Sequence, residues 1–189
     1  MGVLIVGLVV FFVPHSISII NEPWRNRVAA NIGEQGWKGL YSLVALAGLF
    51  LIIWGYGLAR LDPVVLYAPP VWLRHFSLVL LIFVFPLLFA AYLPGRIKSA
   101  TKHPMLAATK IWAFAHLLAN GTLADVLLFG SFLVWAVADR ISMKHRQPRP
   151  FPGTPSKMND LIAVVMGLVL YVFFILWIHE WLFGVAPLG

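Results

Sequence analysis

GVLIVGLVVFFVPHSISII, residues Gly2–Ile20, runs for nineteen residues without an Asp, Glu, Lys or Arg. A bilayer core takes about 20 apolar residues per helix, so this stretch predicts a membrane-spanning helix. No basic residue precedes its apolar run and no small-x-small cleavage site follows it, so it reads as a retained helix and not as a signal peptide. Four more runs have similar character: 40–58, 71–92, 123–138 and 161–183. A shorter stretch, 105–119, is helical in pattern but carries Lys110 near its start. Asn120-Gly121, a turn signal, joins it to 123–138 as a tight helical hairpin. The reading is all-α: a polytopic membrane bundle of six transmembrane helices, forming one domain over 1–189.

Composition agrees. The chain of 189 residues is 61% hydrophobic and 11% charged, whereas a soluble domain carries about 25% charged residues. Its net charge of +7 resides in short gaps between apolar runs, as membrane orientation requires. No basic tail or aromatic-basic interleaving points to nucleic acid. Cysteine is absent, which excludes disulfides, thiolate ligation and covalent haem attachment.

The charges also give the orientation. Gaps 21–39, 94–110 and 140–160 hold three, four and five of the 14 Lys and Arg residues, while 59–74 holds two and the Asn120-Gly121 turn none. The positive-inside rule places the rich gaps in the cytoplasm and both termini on the non-cytoplasmic side. Residues 140–160 form a cytoplasmic loop in which Pro148, Pro150, Pro152 and Pro155 exclude helix.

Two histidines fall inside the apolar segments at matching depth. His15 precedes Asn21, and His116 follows Lys110, each by six residues, or roughly 9 Å of helix. Intramembrane ionisable groups are functional suspects, and these two are taken as the pair. Each can make an interhelical hydrogen bond, or together they can clamp a metal or flat cofactor. Two imidazoles are too few for a catalytic zinc site but suffice as axial ligands of a haem iron. Trp112, His116 and Asn120 recur at four-residue spacing and share a face, with Ala113, Ala115 and Ala119 leaving room beside them. Pro14 frees the Val10 carbonyl and can aim His15. Arg25, Arg27, Lys102 and Lys110 lie on the side where propionates would need cations. His103, before Pro104, can bind a carboxylate or phosphate or open the helix. His75, His145 and His179 read as interfacial or solvated.

Phe12-Val13-Pro14-His15-Ser16, Pro23-x-Arg25, Gly33 and Leu40-Tyr41-Ser42 resemble the opening of the NnrU family. Lys102-His103-Pro104-Met105 and the run Trp112-Ala113-Phe114-Ala115-His116-Leu117-Leu118-Ala119-Asn120-Gly121 resemble its second signature. The resemblance implies a multi-pass protein of the bacterial inner membrane, linked to expression or activity of the nitrite and nitric oxide reductases of denitrification. The family is related to cis-zeta-carotene isomerase, a membrane enzyme with noncovalent haem b. That enzyme's two haem histidines match His15 and His116. Some positions depart from the pattern: Lys102 stands where Arg is usual and Thr122 where Asp often follows Asn-Gly. Ala113 replaces the isomerase's Cys, so a thiol-based ligand exchange has no counterpart at that position.

Three functions follow as expectations. The first is a bis-His haem b protein that isomerises a lipophilic substrate or handles nitric oxide. The second is a membrane methyltransferase using S-adenosylmethionine, which the basic-His-Pro motif also resembles, although no second cofactor motif follows it. The third is a noncatalytic accessory to reductase assembly.

Overall fold

The computed structural model describes residues 1–146 and 153–188, so 147–152 of the Pro-rich 140–160 loop, with Pro148, Pro150 and Pro152, lie outside the described residues. Among the described residues the helices are α1 (Gly2–Ile20), α2 (Glu22–Ile32), α3 (Glu34–Ala59), α4 (Val71–Leu81), α5 (Val84–Tyr92), α6 (Arg96–Thr101), α7 (Pro104–Ala119), α8 (Leu123–Ser142), α9 (Lys157–Phe173) and α10 (His179–Phe183). A π turn, Phe174–Ile178, joins the last two. Contacts group the chain into two compact units, Met1–Pro69 with Asn120–Pro148 and Pro70–Ala119 with Arg149–Gly189.

In the first unit α1 packs along α3, and glycine sets the spacing. A Cβ at Gly7 would lie 2.6 Å from the Ile52 backbone nitrogen, and one at Gly48 would lie 2.7 Å from the Phe11 Cα. At Gly55 it would collide with the backbone of Leu4. Each step forward on α1 is matched by a step back on α3, so the helices are antiparallel with backbones in close approach. Small residues serve this purpose where lipid removes the hydrophobic drive between helices. Continued toward the end of α1, the register brings His15 to Tyr41.

α8 completes this unit. Thr122 caps it through a capping box: its hydroxyl receives the Asp125 N–H at 3.3 Å, and the Asp125 carboxylate receives the Thr122 N–H at 2.9 Å. The Tyr56 hydroxyl of α3 donates to the same carboxylate at 2.6 Å. The preceding turn is tied to the 60–69 loop, where the Gly121 carbonyl accepts from Leu66 and Tyr67 and the Leu123 N–H donates to Val64. Any side chain at Gly121 would strike the Tyr67 carbonyl.

In the second unit the 71–92 run divides into α4 and α5. Pro86 has no N–H for the Ile82 carbonyl and its ring crowds that group, so the helix breaks at Ile82–Phe83. The Tyr171 hydroxyl of α9 donates at 2.7 Å to Leu78, one of the last four carbonyls of α4, which lack a partner within their helix. Gly167 lets α9 pass against Pro86. The start of α9 is fastened to α6: the Asp160 carboxylate accepts the N–H groups of Arg96 at 2.8 Å and Ile97 at 3.0 Å. Burial pushes the Lys98 ammonium below the ordinary lysine range, and it donates to the Ala91 carbonyl near the end of α5.

Among the described residues, four helical segments have the length and hydropathy to cross a membrane: Gly2–Ile20, Glu34–Ala59, Val71–Tyr92 and Lys157–Phe183. Large apolar side chains project outward along them, Leu43 at 69% and Phe50 at 66% exposure, as lipid-facing residues do. The six expected crossings include two that fall short of this measure. α7 has 16 residues, about 24 Å of helix against a core of about 30 Å. α8 has 20 residues but contains Asp125, Asp139 and Arg140. It also outlasts the expected 123–138 run, because its last turn is held by an ion pair. Arg146 meets Asp139 at 2.7 Å and reaches the Ser142 hydroxyl at 3.0 Å.

Candidate functional site

His15 lies in the second half of α1, which continues through Pro14 without a break. Its Nδ1 is 2.6 Å from the Phe11 carbonyl, one turn back. A carbonyl only accepts, so Nδ1 carries the proton and Nε2 holds the lone pair. Three rings fix the imidazole plane. Phe11 stacks on it at 4.1 Å and 21°, Tyr41 of α3 tilts against it at 4.9 Å, and Trp135 of α8 meets it edge-on at 5.6 Å and 88°. A cleft of about 280 Å3 opens beside the ring, lined by Phe11, His15, Tyr41, Ser42, Ala45, Leu46 and Leu49. Ligand pockets run from about 300 Å3 upward, and the cleft lies just below that size.

His116 lies near the end of α7, in the second unit. Its Nδ1 is 2.8 Å from the Trp112 carbonyl, again one turn back, and the Trp112 ring tilts beside it at 5.3 Å. Ala113 and Ala115 on either side of Phe114 are fully buried. The two histidines thus share one local arrangement, each in its own unit. In each, Nδ1–H is tied to the carbonyl one turn back. Ligating histidines are held in this way, since the second nitrogen's hydrogen bond sets tautomer and ring orientation.

The remaining expected residues have specific places. Trp112 and His116 are together on α7, but the helix ends at Ala119 and Asn120 belongs to the turn of the first unit. The face expected for all three therefore stops one residue early, because the Gly121–Thr122 segment is drawn to the 60–69 loop. Arg25 is 8% exposed, pairs with Glu34 at 3.2 Å and lies over the Trp37 ring at 5.6 Å. His103 stands immediately before α7, where its carbonyl accepts the Ala107 N–H at 3.1 Å, and Pro104 takes the first helical position that suits proline.

Sequence reasoning missed Phe11, Tyr41 and Trp135 around His15. It also took the two histidines as the intramembrane ionisable groups, whereas Asp125 and Asp139 on α8 are buried at 4% and 6% exposure. Thr122-x-x-Asp125 is a capping-box pattern and could have revealed the first. Among the described residues, no three His, Asp or Glu side chains converge to hold a metal ion.

The family model for NnrU protein matches residues 3–187, a span that takes in both units and both histidines. The chain belongs to the NnrU family. No curated protein and no solved structure matches it significantly. The family assignment covers the aromatic surroundings of His15 as well as the α7 signature.

Proposed function

We propose that this NnrU-family chain is an integral membrane haem b protein in which His15 and His116 would hold the haem. The supporting observation is the matched local geometry: both imidazoles donate Nδ1–H to the carbonyl one turn back, the kind of bond that sets tautomer and ring orientation in ligating histidines. The apolar cleft beside His15 fits a flat apolar cofactor. Haem b would supply a redox-active iron. His15 and His116 would bind it, Phe11 and Trp112 would hold the two rings by their carbonyls, and Phe11 and Tyr41 would keep water from the His15 side. His103, Arg25 and Asn120 remain candidates for the cofactor's rim, with Arg25 able to reach a propionate only by sharing its charge with Glu34.

The reading extends to six crossings of the bacterial inner membrane with both termini outside the cytoplasm, supported by the alternation of Lys and Arg between gaps. The role is support of nitrite and nitric oxide reduction in denitrification. The chemistry is nitric oxide handling, or isomerisation of a lipophilic substrate, at the iron. The visible spectrum of detergent-purified protein, with and without dithionite, tests the cofactor. Wild type should give reduced-minus-oxidised bands of a low-spin bis-imidazole haem. His15→Ala and His116→Ala should each lose the low-spin signature, and the double variant should lose haem. Unchanged bands in the double variant would refute the ligand assignment.

A further inference from the structure

Asp139 is buried on α8, at 6% exposure, four residues after Trp135. That spacing puts the two on one face of the helix, one turn apart. The Trp135 ring meets the His15 imidazole at 5.6 Å, so Asp139 follows one turn beyond the residue that touches His15. Its charge reaches the imidazole, and it reaches Tyr41, which meets His15 from α3 at 4.9 Å. The counter-charge is Arg146, whose Nη2 lies 2.7 Å from the Asp139 Oδ1. The guanidinium is held there by the Ser142 hydroxyl, 3.0 Å from Nε and 2.8 Å from Nη2. Of the two charges, the carboxylate is the one felt at His15 and Tyr41. The pair thus turns its negative end toward the imidazole.

A buried ion pair contributes little net stability, because desolvation offsets the attraction. Holding the last turn of α8 does not require full charges. A fixed charge does act more strongly across a protein interior than across water. Charge, burial and hydrogen bonding around a bound iron are the means by which a protein sets its potential.

We propose that the Asp139–Arg146 pair sets the reduction potential of the group that His15 binds, the carboxylate favouring its oxidised form and the guanidinium limiting that bias. This rests on the haem reading above. Neither side chain has to touch the cofactor, since the pair acts through its field.

The test is a redox titration of the haem-loaded full chain in nanodiscs, followed by visible absorption. It is run near pH 8, about four units above the ordinary Asp range, so that a carboxylate without its partner stays ionised. Asp139→Asn removes the anion and leaves the guanidinium, and the midpoint potential should rise. Arg146→Gln leaves the carboxylate unbalanced, and the potential should fall. Each shift should correspond to about a ten-fold change in the oxidised-to-reduced equilibrium, or ~59 mV for a one-electron couple. The change should be the larger for Asp139→Asn, and the double variant should return close to wild type. A loosened α8 would admit water in either single variant and move both potentials the same way. Equal potentials in wild type and Asp139→Asn, or shifts of one sign in both single variants, would overturn the proposal and leave the haem reading standing. A wild type that takes up no haem would instead overturn that reading, and this proposal with it. Should Asp139→Asn not fold, the exchanged pair, Asp139→Arg with Arg146→Asp, keeps the attraction and reverses the field. It should raise the potential likewise, and a potential equal to wild type there would count against the proposal in the same way.

Discussion

At the scale of single residues, the most consequential group outside the histidines is Asp125. Its carboxylate accepts from the Thr122 N–H, from the Thr122 hydroxyl at 2.6 Å and from the Tyr56 hydroxyl at 2.6 Å. One acid thus closes the start of α8 and fastens it to α3. Asp125→Ala would remove the reciprocal cap and leave the Tyr56 hydroxyl unpaired, a loss of about 2–4 kcal/mol. Tyr56→Phe removes one bond and keeps the cap, at about 1–2 kcal/mol. Reversible unfolding followed by circular dichroism should rank the variants in that order, and equal losses would mean that the cap contributes nothing. The capping half of this network is readable from Thr122-x-x-Asp125. The Tyr56 half is not, because it joins positions far apart in the chain and depends on how α3 meets α8. The same limit explains His15. Its position in an apolar run marks it as a suspect, and its Phe11 bond is a matter of four-residue spacing. Tyr41 and Trp135 reach it only through packing.

At the scale of elements, helix existence is legible and helix ends are less so. The run 40–58 is the interior of Glu34–Ala59, extended at its start by polar residues that hydropathy does not count. A break between α2 and α3 comes from Gly33, at φ 81°, a conformation open to glycine. The split of 71–92 follows from Pro86, which was visible in the sequence but not weighed. Which face of each helix packs is the larger gap, since α1 and α3 are apolar nearly all round and only their small residues mark the seam. Gly48→Ala should therefore weaken the α1–α3 contact, because its Cβ would press on Phe11 backbone atoms, at about 1–3 kcal/mol. Phe11 also carries the His15 hydrogen bond, so under the proposed haem reading haem retention should fall in parallel. Gly57→Ala is the control: nothing lies within 4 Å of its Cβ, and alanine should be neutral or better by up to about 1 kcal/mol. Thermal unfolding in detergent checks both, and equal stability of the two variants would remove glycine from the account of this seam.

At the scale of the whole molecule, length and charge give different guides to the crossings. Length and hydropathy select four segments; the distribution of Lys and Arg asks for six. The two criteria disagree over α7 and α8 alone, and for a physical reason. A helix of 16 residues can cross a bilayer that thins around it, at a modest cost per ångström of mismatch. Asp125 and Asp139 on α8 lower its hydropathy, yet each is buried and hydrogen-bonded or paired, so neither faces lipid. Hydropathy averages treat such acids as if they were exposed and so undercount helices of this kind. The chain contains no cysteine, so single cysteines report their side of the membrane without background. Lys38→Cys, Lys102→Cys and Lys144→Cys should resist a membrane-impermeant maleimide added to intact spheroplasts and react after lysis. Asp62→Cys and Leu188→Cys should react before lysis. With α7 and α8 both crossing, the side of Lys102 and the side of Lys144 are the same, and a Cys introduced at Thr122 between them should label with Asp62→Cys from outside. Protection of Thr122→Cys in spheroplasts, with the other five behaving as stated, would leave four crossings and place the α7–α8 turn on the cytoplasmic side.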